Sequence, residues 1–150
     1  MPERAEENVV TVEFMKLHDD AKIPYRKRST DAGYDLYAYG DFELLPNSTI
    51  SVNTGICISC PPGYYYTIEG RSSLWSKGIF PNRGIIDATY TGEIFISMVN
   101  ITASPYFVKS GDRIAQIILA RQYHFDFKEV DNFSPEYSLR GQLGFGSSGR

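Results

Sequence analysis

Turn-forming residues interrupt the first half of this sequence every few positions. The interruptions are Gly40-Asp41, Pro46-Asn47 and Pro61-Pro62-Gly63, and these residue types adopt the backbone angles that tight turns require. Between them stand short runs rich in β-branched and aromatic residues, which favour strands. The runs cover residues 34–39, 42–45, 49–54, 55–59 and 64–69. Strands this short and closely spaced predict an all-β fold, either a β-sandwich or a barrel.

The remaining runs continue the same pattern. Residues 9–16 alternate, with Val10, Val12 and Phe14 on one face, and predict a first strand. Residues 84–86 and 93–99 predict two strands joined by a hairpin. The apolar run 113–121 fits a helix by periodicity alone, but its isoleucines and the all-β setting favour a buried strand. Residues 107–108 precede a turn at Gly111-Asp112, and residues 123–130 form the last alternating segment.

One short stretch predicts a helix. Residues 72–77 begin with Ser72 and Ser73, either of which can cap a helix, and Gly78 can end it. Arg71 stands immediately before the stretch. A helix N-terminus with free N–H groups, two hydroxyls and an arginine suits phosphate oxygens, so this stretch is a candidate phosphate site.

Length and charge limit the classes of function. The 150 residues predict a single domain over residues 1–150, with a disordered lead over residues 1–8 and a flexible arm over residues 131–150. A net charge of −3 provides no broad basic surface, so we expect no nucleic-acid partner. The chain has no long apolar run and its start is charged, so we expect no membrane span and a soluble intracellular protein, cytoplasmic or nuclear.

The two cysteines form a C-x-x-C sequence, Cys57 and Cys60, which is typical of redox or zinc sites. Zinc requires four ligands, however, and His18 and His124 do not have a matching spacing. In a strand, residues three apart point to opposite faces. We therefore expect two structural thiols without a disulfide or a metal.

The stretch around Asp87 is the candidate catalytic segment. A carboxylate and an aromatic residue, Tyr90, lie in a turn bounded by Gly84 and Gly92. Glycines let the backbone approach a ligand closely, and the ring can lie across what the turn encloses. A carboxylate held there can accept a proton from a water molecule. The alternative is a surface hairpin in which Asp87 caps its own turn.

The C-terminal arm contains a G-x-G-x-x-G spacing at Gly144, Gly146 and Gly149. A dinucleotide-binding fingerprint must open a helix inside a βαβ unit, and this chain ends one residue later, so that interpretation is rejected. By composition alone the arm is typical of a disordered tail, although it carries two arginines, an aromatic residue and two hydroxyls.

Five segments in order resemble the five motifs of the trimeric dUTP pyrophosphatases, the dUTPases. The segments are residues 31–38 (DAGYDLYA), 70–74 (GRSSL), 84–93 (GIIDATYTGE), 111–116 (GDRIAQ) and 140–149 (RGQLGFGSSG). Five ordered motifs are far more specific than any one of them. They span most of the chain.

The resemblance implies a distorted β-barrel or jelly roll that forms a homotrimer, with each active site assembled from all three subunits. It implies hydrolysis of dUTP to dUMP and pyrophosphate with Mg²⁺, which limits uracil in DNA and supplies dUMP for dTMP synthesis. By position, Asp87 would orient and deprotonate the water that attacks the α-phosphorus. Tyr90 would pack under the deoxyribose and exclude a ribose 2′-hydroxyl, and the backbone from Gly84 to about Phe95 would recognise the uracil edge.

Other positions are implied to hold the triphosphate. Arg71, Ser72, Ser73 and Gln116 would bind phosphate oxygens. Mg²⁺ would be held mainly by those oxygens and by water, with Asp35 in its outer shell. The arm would close as a lid, with an aromatic ring stacked on uracil and hydroxyls on the γ-phosphate. The arm residues implied to contact substrate are Arg140, Phe145, Gly146, Ser147 and Ser148.

Some residues depart from the motifs. The approach through Pro81-Asn82-Arg83 is about one residue shorter than in some members, and whether Asn82 reaches the catalytic water stays open. Glu69 has two interpretations: it pairs with Arg71, or it repels the triphosphate.

Two rival functions remain. A dCTP deaminase would share the fold, but deaminases carry an Arg where Ser76 stands and a catalytic Glu near Ser97. A non-enzymatic jelly-roll module would need neither Asp87 nor the complete arm, so both features favour an enzyme.

Overall fold

The computed structural model describes residues 9–137 of the protein. That part of the chain consists mainly of short strands, as the turn spacing predicted. The strands are β1 (Phe14–Lys16), β2 (Tyr34–Tyr37), β3 (Phe42–Leu44), β4 (Ser48–Ile58), β5 (Tyr64–Glu69), β6 (Ile79–Pro81), β7 (Gly84–Ile86), β8 (Glu93–Asn100), β9 (Tyr106–Val108) and β10 (Arg113–Arg121). The helices are α1 (Ser72–Trp75) and a 3-10 turn (Pro135–Tyr137). Neither of these described helices is long or apolar enough to cross a membrane.

Two four-stranded antiparallel sheets form the fold. The first has the order β1-β4-β8-β6 and the second the order β2-β10-β5-β7, while β3 and β9 pair separately. Alternate residues of β8, namely Ile94, Ile96 and Met98, are buried, and they share one apolar core with Leu36 and Ile114 of the second sheet. Packing of the apolar faces of two sheets confirms the all-β, jelly-roll prediction.

Strand β10 is central to the second sheet and confirms the buried strand predicted over residues 113–121. It pairs with β2 on one edge and with β5 on the other. Ile114 and Ile117 are buried. The pairing also sets Gln116 between Asp35 on β2 and Glu69 on β5.

Strand β4 is continuous, whereas the sequence pattern suggested separate runs over residues 49–54 and 55–59. Gly55 has a φ angle of +72°, and the register with β8 shifts between Asn53 and Cys57. The glycine therefore lies in a bulge, which interrupts the alternation without ending the strand.

The predicted hairpin of residues 84–86 and 93–99 is wrong. Strand β7 pairs with β5 in the second sheet, while β8 pairs with β4 and β6 in the first. Residues 87–92 therefore connect the two sheets. Two strand patterns around a short glycine-containing turn suit both a hairpin and a connection between sheets, since only the choice of partner strands distinguishes them.

Two predicted alternating segments are shorter or absent as strands. The first strand covers Phe14–Lys16 and not residues 9–16. Its partner β4 ends at Ile58, and Pro61 and Pro62 follow, which lack the N–H group that a longer ladder would need. Residues 123–130 form no strand within the described chain, and Phe127 is 92% exposed.

Helix α1 ends at Trp75, where the prediction extended to residue 77. Its N-cap is Arg71, which makes no side-chain capping hydrogen bond. The predicted cap by Ser72 or Ser73 is therefore wrong, because the helix already begins at Ser72 and a cap precedes the first helical residue. Gly78 follows with a φ angle of +72°, and its N–H donates to the Trp75 carbonyl at 2.9 Å.

Both cysteines are free thiols, as predicted. Cys57 is buried on β4, and burial raises the pKa of the Cys60 thiol. Between residues 9 and 137, no group of three His, Cys, Asp or Glu side chains could hold a metal ion.

Candidate active site

Three polar side chains form a row across the second sheet, which we call the polar row: Asp35, Gln116 and Glu69. Gln116 on β10 is the register partner of Asp35 on β2 and of Glu69 on β5. Directly paired residues of antiparallel strands point to the same face of a sheet. The amide of Gln116 is therefore flanked by two carboxylates, and all three side chains are half-buried.

Arg71 lies at the Asp35 end of the polar row. Its Nε donates to Asp35 Oδ1 at 3.1 Å, and its Nη1 donates to the Arg113 carbonyl oxygen at 3.3 Å. Arg113 Nη1 lies 3.7 Å from Asp35 Oδ2. The side chains of Arg71 and Asp35 are 21% and 24% exposed, so solvent screens this pair less than an open surface pair. Two guanidinium groups around one carboxylate leave positive charge for an anion.

Gln116 is held by the backbone that leads into Arg71. Its Nε2 donates to the Gly70 carbonyl oxygen at 2.9 Å. A Cβ atom at Gly33 would lie 2.6 Å from Gln116 Oε1, so a glycine at this position keeps space for the amide. Nearby, burial and then the charge of Asp35 raise the pKa of Tyr37, which keeps its hydroxyl protonated.

A polar cleft of about 400 Å³ opens beside Arg71. Its cationic lining residues are Arg71, Lys77 and Arg113, and Ser73 also faces it. Ser72 and Ser73 are exposed in the first turn of α1. The cleft therefore combines positive charge with accessible hydroxyl groups.

Asp87 follows β7 and is exposed. Its backbone carbonyl accepts the N–H of Tyr90 at 3.1 Å, and this bond closes the turn at Ala88-Thr89. The carboxylate accepts no hydrogen bond from the described residues. The alternative that the Asp87 side chain caps its own turn therefore does not apply, since the backbone closes the turn.

Tyr90 is fixed against the start of β8. Its hydroxyl donates to the Glu93 carbonyl oxygen at 2.6 Å. A Cβ atom at Gly92 would lie 2.8 Å from the Tyr90 hydroxyl oxygen and 2.9 Å from Cζ. Gly92 is therefore the residue that lets the ring lie close to the backbone.

Glu93 anchors this segment to β4, a role that the sequence analysis did not predict. Its Oε1 accepts the Gly55 N–H at 2.8 Å, and its Oε2 accepts from Asn53 Nδ2 at 3.2 Å. Both donors belong to the β4 bulge. A glycine inside a strand pattern was the available signal, because a bulge leaves a backbone N–H in need of an acceptor.

Comparison with known proteins decides the family. A family model described as dUTPase matches residues 19–149. The deoxyuridine 5'-triphosphate nucleotidohydrolase of Yaba monkey tumor virus is 41% identical over 135 residues, which cover 89% of this chain and 93% of the viral protein. The chain belongs to the dUTPase family. The rival interpretations as a deaminase or a binding module find no support in these matches.

Other relatives agree. The Swinepox virus dUTPase is 42% identical over 139 residues, covering 92% of this dUTPase and 96% of the viral one. A variant of the Staphylococcus bacteriophage 80alpha dUTPase, solved with dUpNHpp, matches with a TM-score of 0.84 at 28% identity over 95% of this chain and 100% of its own. The dUTPase of phage phi11 of S. aureus matches with a TM-score of 0.76 at 25% identity over 83% and 99% of the two chains, and its description mentions a structural Mg(II) ion.

The predicted site residues of this dUTPase form two separate groups. The first group contains Asp35, Arg71, Ser72, Ser73 and Gln116. The second contains Gly84, Asp87 and Tyr90. Strand β7 runs antiparallel to β5, and Ile86 pairs with Tyr66, which lies four residues of β5, about 13 Å, before Gly70. Within one chain, Asp87 and the serines of α1 therefore lie towards opposite ends of β5.

Glu69 and Asn82, which the sequence left open, both have partners in the dUTPase. Arg83 Nε donates to Glu69 Oε1 at 2.9 Å, so the possibility that Glu69 pairs with Arg71 is wrong. Asn82 Nδ2 donates to Ser97 Oγ at 3.0 Å. The remaining predicted site residues lie outside the described part of the chain; they are Arg140, Phe145, Gly146, Ser147 and Ser148.

The donor set of the dUTPase permits only one mode of Mg²⁺ binding. Asp35 is the carboxylate closest to the cationic cleft, and both of its oxygens face guanidinium groups. Mg²⁺ usually keeps several waters and binds substrate phosphates together with one or two carboxylates. Asp35 therefore fits a place beyond the first coordination shell, and the described residues do not fit a metal cage made by protein alone.

Proposed function

This dUTPase hydrolyses dUTP to dUMP, and we propose that Asp87 is its general base. The observation that carries the proposal is that the Asp87 carboxylate is exposed and accepts no hydrogen bond from the described residues, while its backbone carbonyl holds Tyr90 in place. A carboxylate that protein donors do not occupy can accept a proton from a water molecule within hydrogen-bond reach.

In the reaction, the water oxygen forms a bond to the α-phosphorus as its proton moves to Asp87. The bond from that phosphorus to the oxygen bridging the α- and β-phosphates breaks, so dUMP and pyrophosphate are the products. Arg71, Ser72, Ser73 and Gln116 bind the phosphate oxygens and hold the α-phosphorus in line. Mg²⁺, when bound through the phosphates with Asp35 in the outer shell, supplies neutralising charge.

The second group of residues selects the nucleoside. Tyr90 packs under the deoxyribose, and its hydroxyl bond to Glu93 leaves the ring little freedom to yield to a 2′-hydroxyl. The backbone from Gly84 to about Phe95 presents an N–H to uracil O4 and a carbonyl to N3–H. Cytosine reverses both polarities, and each unpaired buried group costs about 1–3 kcal/mol.

The active enzyme is a homotrimer whose sites are shared between subunits. Asp87 and the phosphate-binding serines lie towards opposite ends of β5 in one chain, so a site that uses both needs more than one chain. Each chain also has surface for a partner to cover. An apolar groove of about 580 Å³ runs beside Val12, Phe14 and Leu119, and the rings of Phe125 and Phe127 are exposed.

The C-terminal arm completes the site. Arg140, Ser147 and Ser148 bind the γ-phosphate, Phe145 stacks on uracil, and Gly146 lets the backbone of the arm approach the substrate. Closure of the arm excludes water and fixes the attack geometry. Deletion of residues 140–150 is therefore expected to abolish hydrolysis and to leave a folded trimer.

The test is a substrate panel with detection of pyrophosphate. The purified protein should release pyrophosphate from dUTP but not from dCTP, dTTP or UTP. Asp87→Asn should bind a non-hydrolysable dUTP analogue as the parent does, with turnover lowered by at least about 100-fold. Asp41→Asn, the same exchange at another exposed turn, is the matched control and should keep full activity. Full activity of Asp87→Asn would overturn the assignment of the base.

A further inference from the structure

Glu69 places negative charge where the proposed site must bind a polyanion. It shares the polar row with Gln116, on the same face of the sheet, and it stands two residues before Arg71. The triphosphate proposed at Arg71 and Gln116 would lie close to this carboxylate. An uncompensated carboxylate there would oppose binding.

Arg83 compensates this carboxylate. Its Nε lies 2.9 Å from Glu69 Oε1. The contact follows from the register of β5 and β7, in which Ile68 pairs with Gly84, so the next residues, Glu69 and Arg83, lie side by side. The Glu69 side chain is 27% exposed, whereas that of Arg83 is 76% exposed, so the arginine approaches the row from the solvent side.

The charges around the row show what Arg83 changes. Asp35 is paired with Arg71 and Arg113, and Glu69 is paired with Arg83. Three guanidinium groups thus face two carboxylates, and the region is cationic. Without Arg83 the charges would be equal in number, and the carboxylate left free would be the one beside Gln116.

We propose that Arg83 is a positioning residue for dUTP binding: it neutralises Glu69 and holds that carboxylate away from the triphosphate. The role rests on the proposed placement of the phosphates at Arg71, Ser72, Ser73 and Gln116. It is electrostatic and acts through Glu69, without contact between Arg83 and substrate. An exposed ion pair of this kind contributes little to stability, so its effect belongs to substrate binding.

The test is a double-mutant cycle on the trimer, measured by KM, kcat and the dissociation constant of a non-hydrolysable dUTP analogue. Arg83→Ala should raise KM and the dissociation constant about 3- to 10-fold with kcat nearly unchanged, and 0.5 M salt should reduce the effect. In the Glu69→Gln background the same Arg83→Ala change should have no effect, because the charge to be neutralised is gone. Arg83→Lys should retain most of the parent affinity.

Arg121→Ala is the matched control, since it removes an arginine from the far end of β10 and should leave KM unchanged. An equal loss in both Glu69 backgrounds would overturn the proposal, because Arg83 would then contact the phosphates directly. No loss in either background would also overturn it. Gln116→Ala distinguishes the two levels of argument. If it raises KM while Arg83→Ala does not, only the role of Arg83 fails; if neither raises KM, the phosphate placement fails as well.

Discussion

Removal of the Glu93 carboxylate tests how the catalytic segment is held. Glu93→Ala deletes the acceptor of the Gly55 N–H, at 2.8 Å, and of Asn53 Nδ2, at 3.2 Å. Gly55 is buried, so its N–H would be left without a partner inside the protein. Hydrogen bonds to charged groups contribute about 1.5–3 kcal/mol each, and the longer bond to the half-buried Asn53 contributes less. We expect a loss of about 2–4 kcal/mol in the free energy of unfolding.

That loss is large enough to measure by thermal unfolding. For a chain of this size each kcal/mol shifts Tm by about 2–4 °C, so Glu93→Ala should lower Tm by on the order of 10 °C. Because Tyr90 donates to the Glu93 carbonyl, we also expect weaker discrimination between dUTP and UTP. The assays are differential scanning calorimetry at fixed trimer concentration and pyrophosphate release from both nucleotides.

Glu93→Gln is the control for the Glu93 prediction. Its amide oxygen can still accept the Gly55 N–H, so it should recover more than half of the lost Tm and most of the selectivity. The reasoning is refuted if Glu93→Ala melts within about 1 °C of the parent, or if Gln and Ala at this position are equally destabilising.

Three further predictions follow from close contacts and from burial. Gly92→Ala should displace the Tyr90 ring, because the new Cβ would lie 2.8 Å from its hydroxyl oxygen, and should lower the dUTP-to-UTP ratio of kcat/KM by about 10-fold in steady-state kinetics. Gly70→Ala should move the indole of Trp75, the only tryptophan, whose Nε1 would lie 2.1 Å from the new Cβ; a shift in tryptophan emission would report it, and an unchanged spectrum would contradict it. Burial raises the pKa of Tyr66 from 10.0 to about 12, so its contribution to stability is complete below pH 10 and is lost as pH rises towards 12. Urea unfolding between pH 9 and 12 should therefore show a weaker pH dependence in Tyr66→Phe than in the parent.

Local patterns predicted most strands because side-chain alternation and turn chemistry are properties of neighbouring residues. The apolar run that became β10 and the turn at Gly111, with a φ angle of +90°, are examples. The same local logic was wrong at Gly55, because a left-handed residue has one signature whether it ends a strand or bulges within it. It was also wrong for β7 and β8, whose partners are strands distant in sequence.

The candidate site divides in the same way. Motif order alone pointed to Asp87, Tyr90, Arg71 and Gln116 as site residues, since the chemistry of a side chain is written in its identity. The anchor made by Glu93 was not predicted, because its acceptor role depends on a bulge that lies 38 residues away in the chain.

The sequence by itself determined the all-β class, the positions of most strands and membership of the dUTPase family, because each rests on residue types and their spacing. Only the tertiary structure decided that β7 and β8 belong to different sheets and that Glu69 faces Arg83 rather than Arg71. The physical reason is that strand partners are selected by burial of the whole core, and a one-residue change of register would exchange every such neighbour.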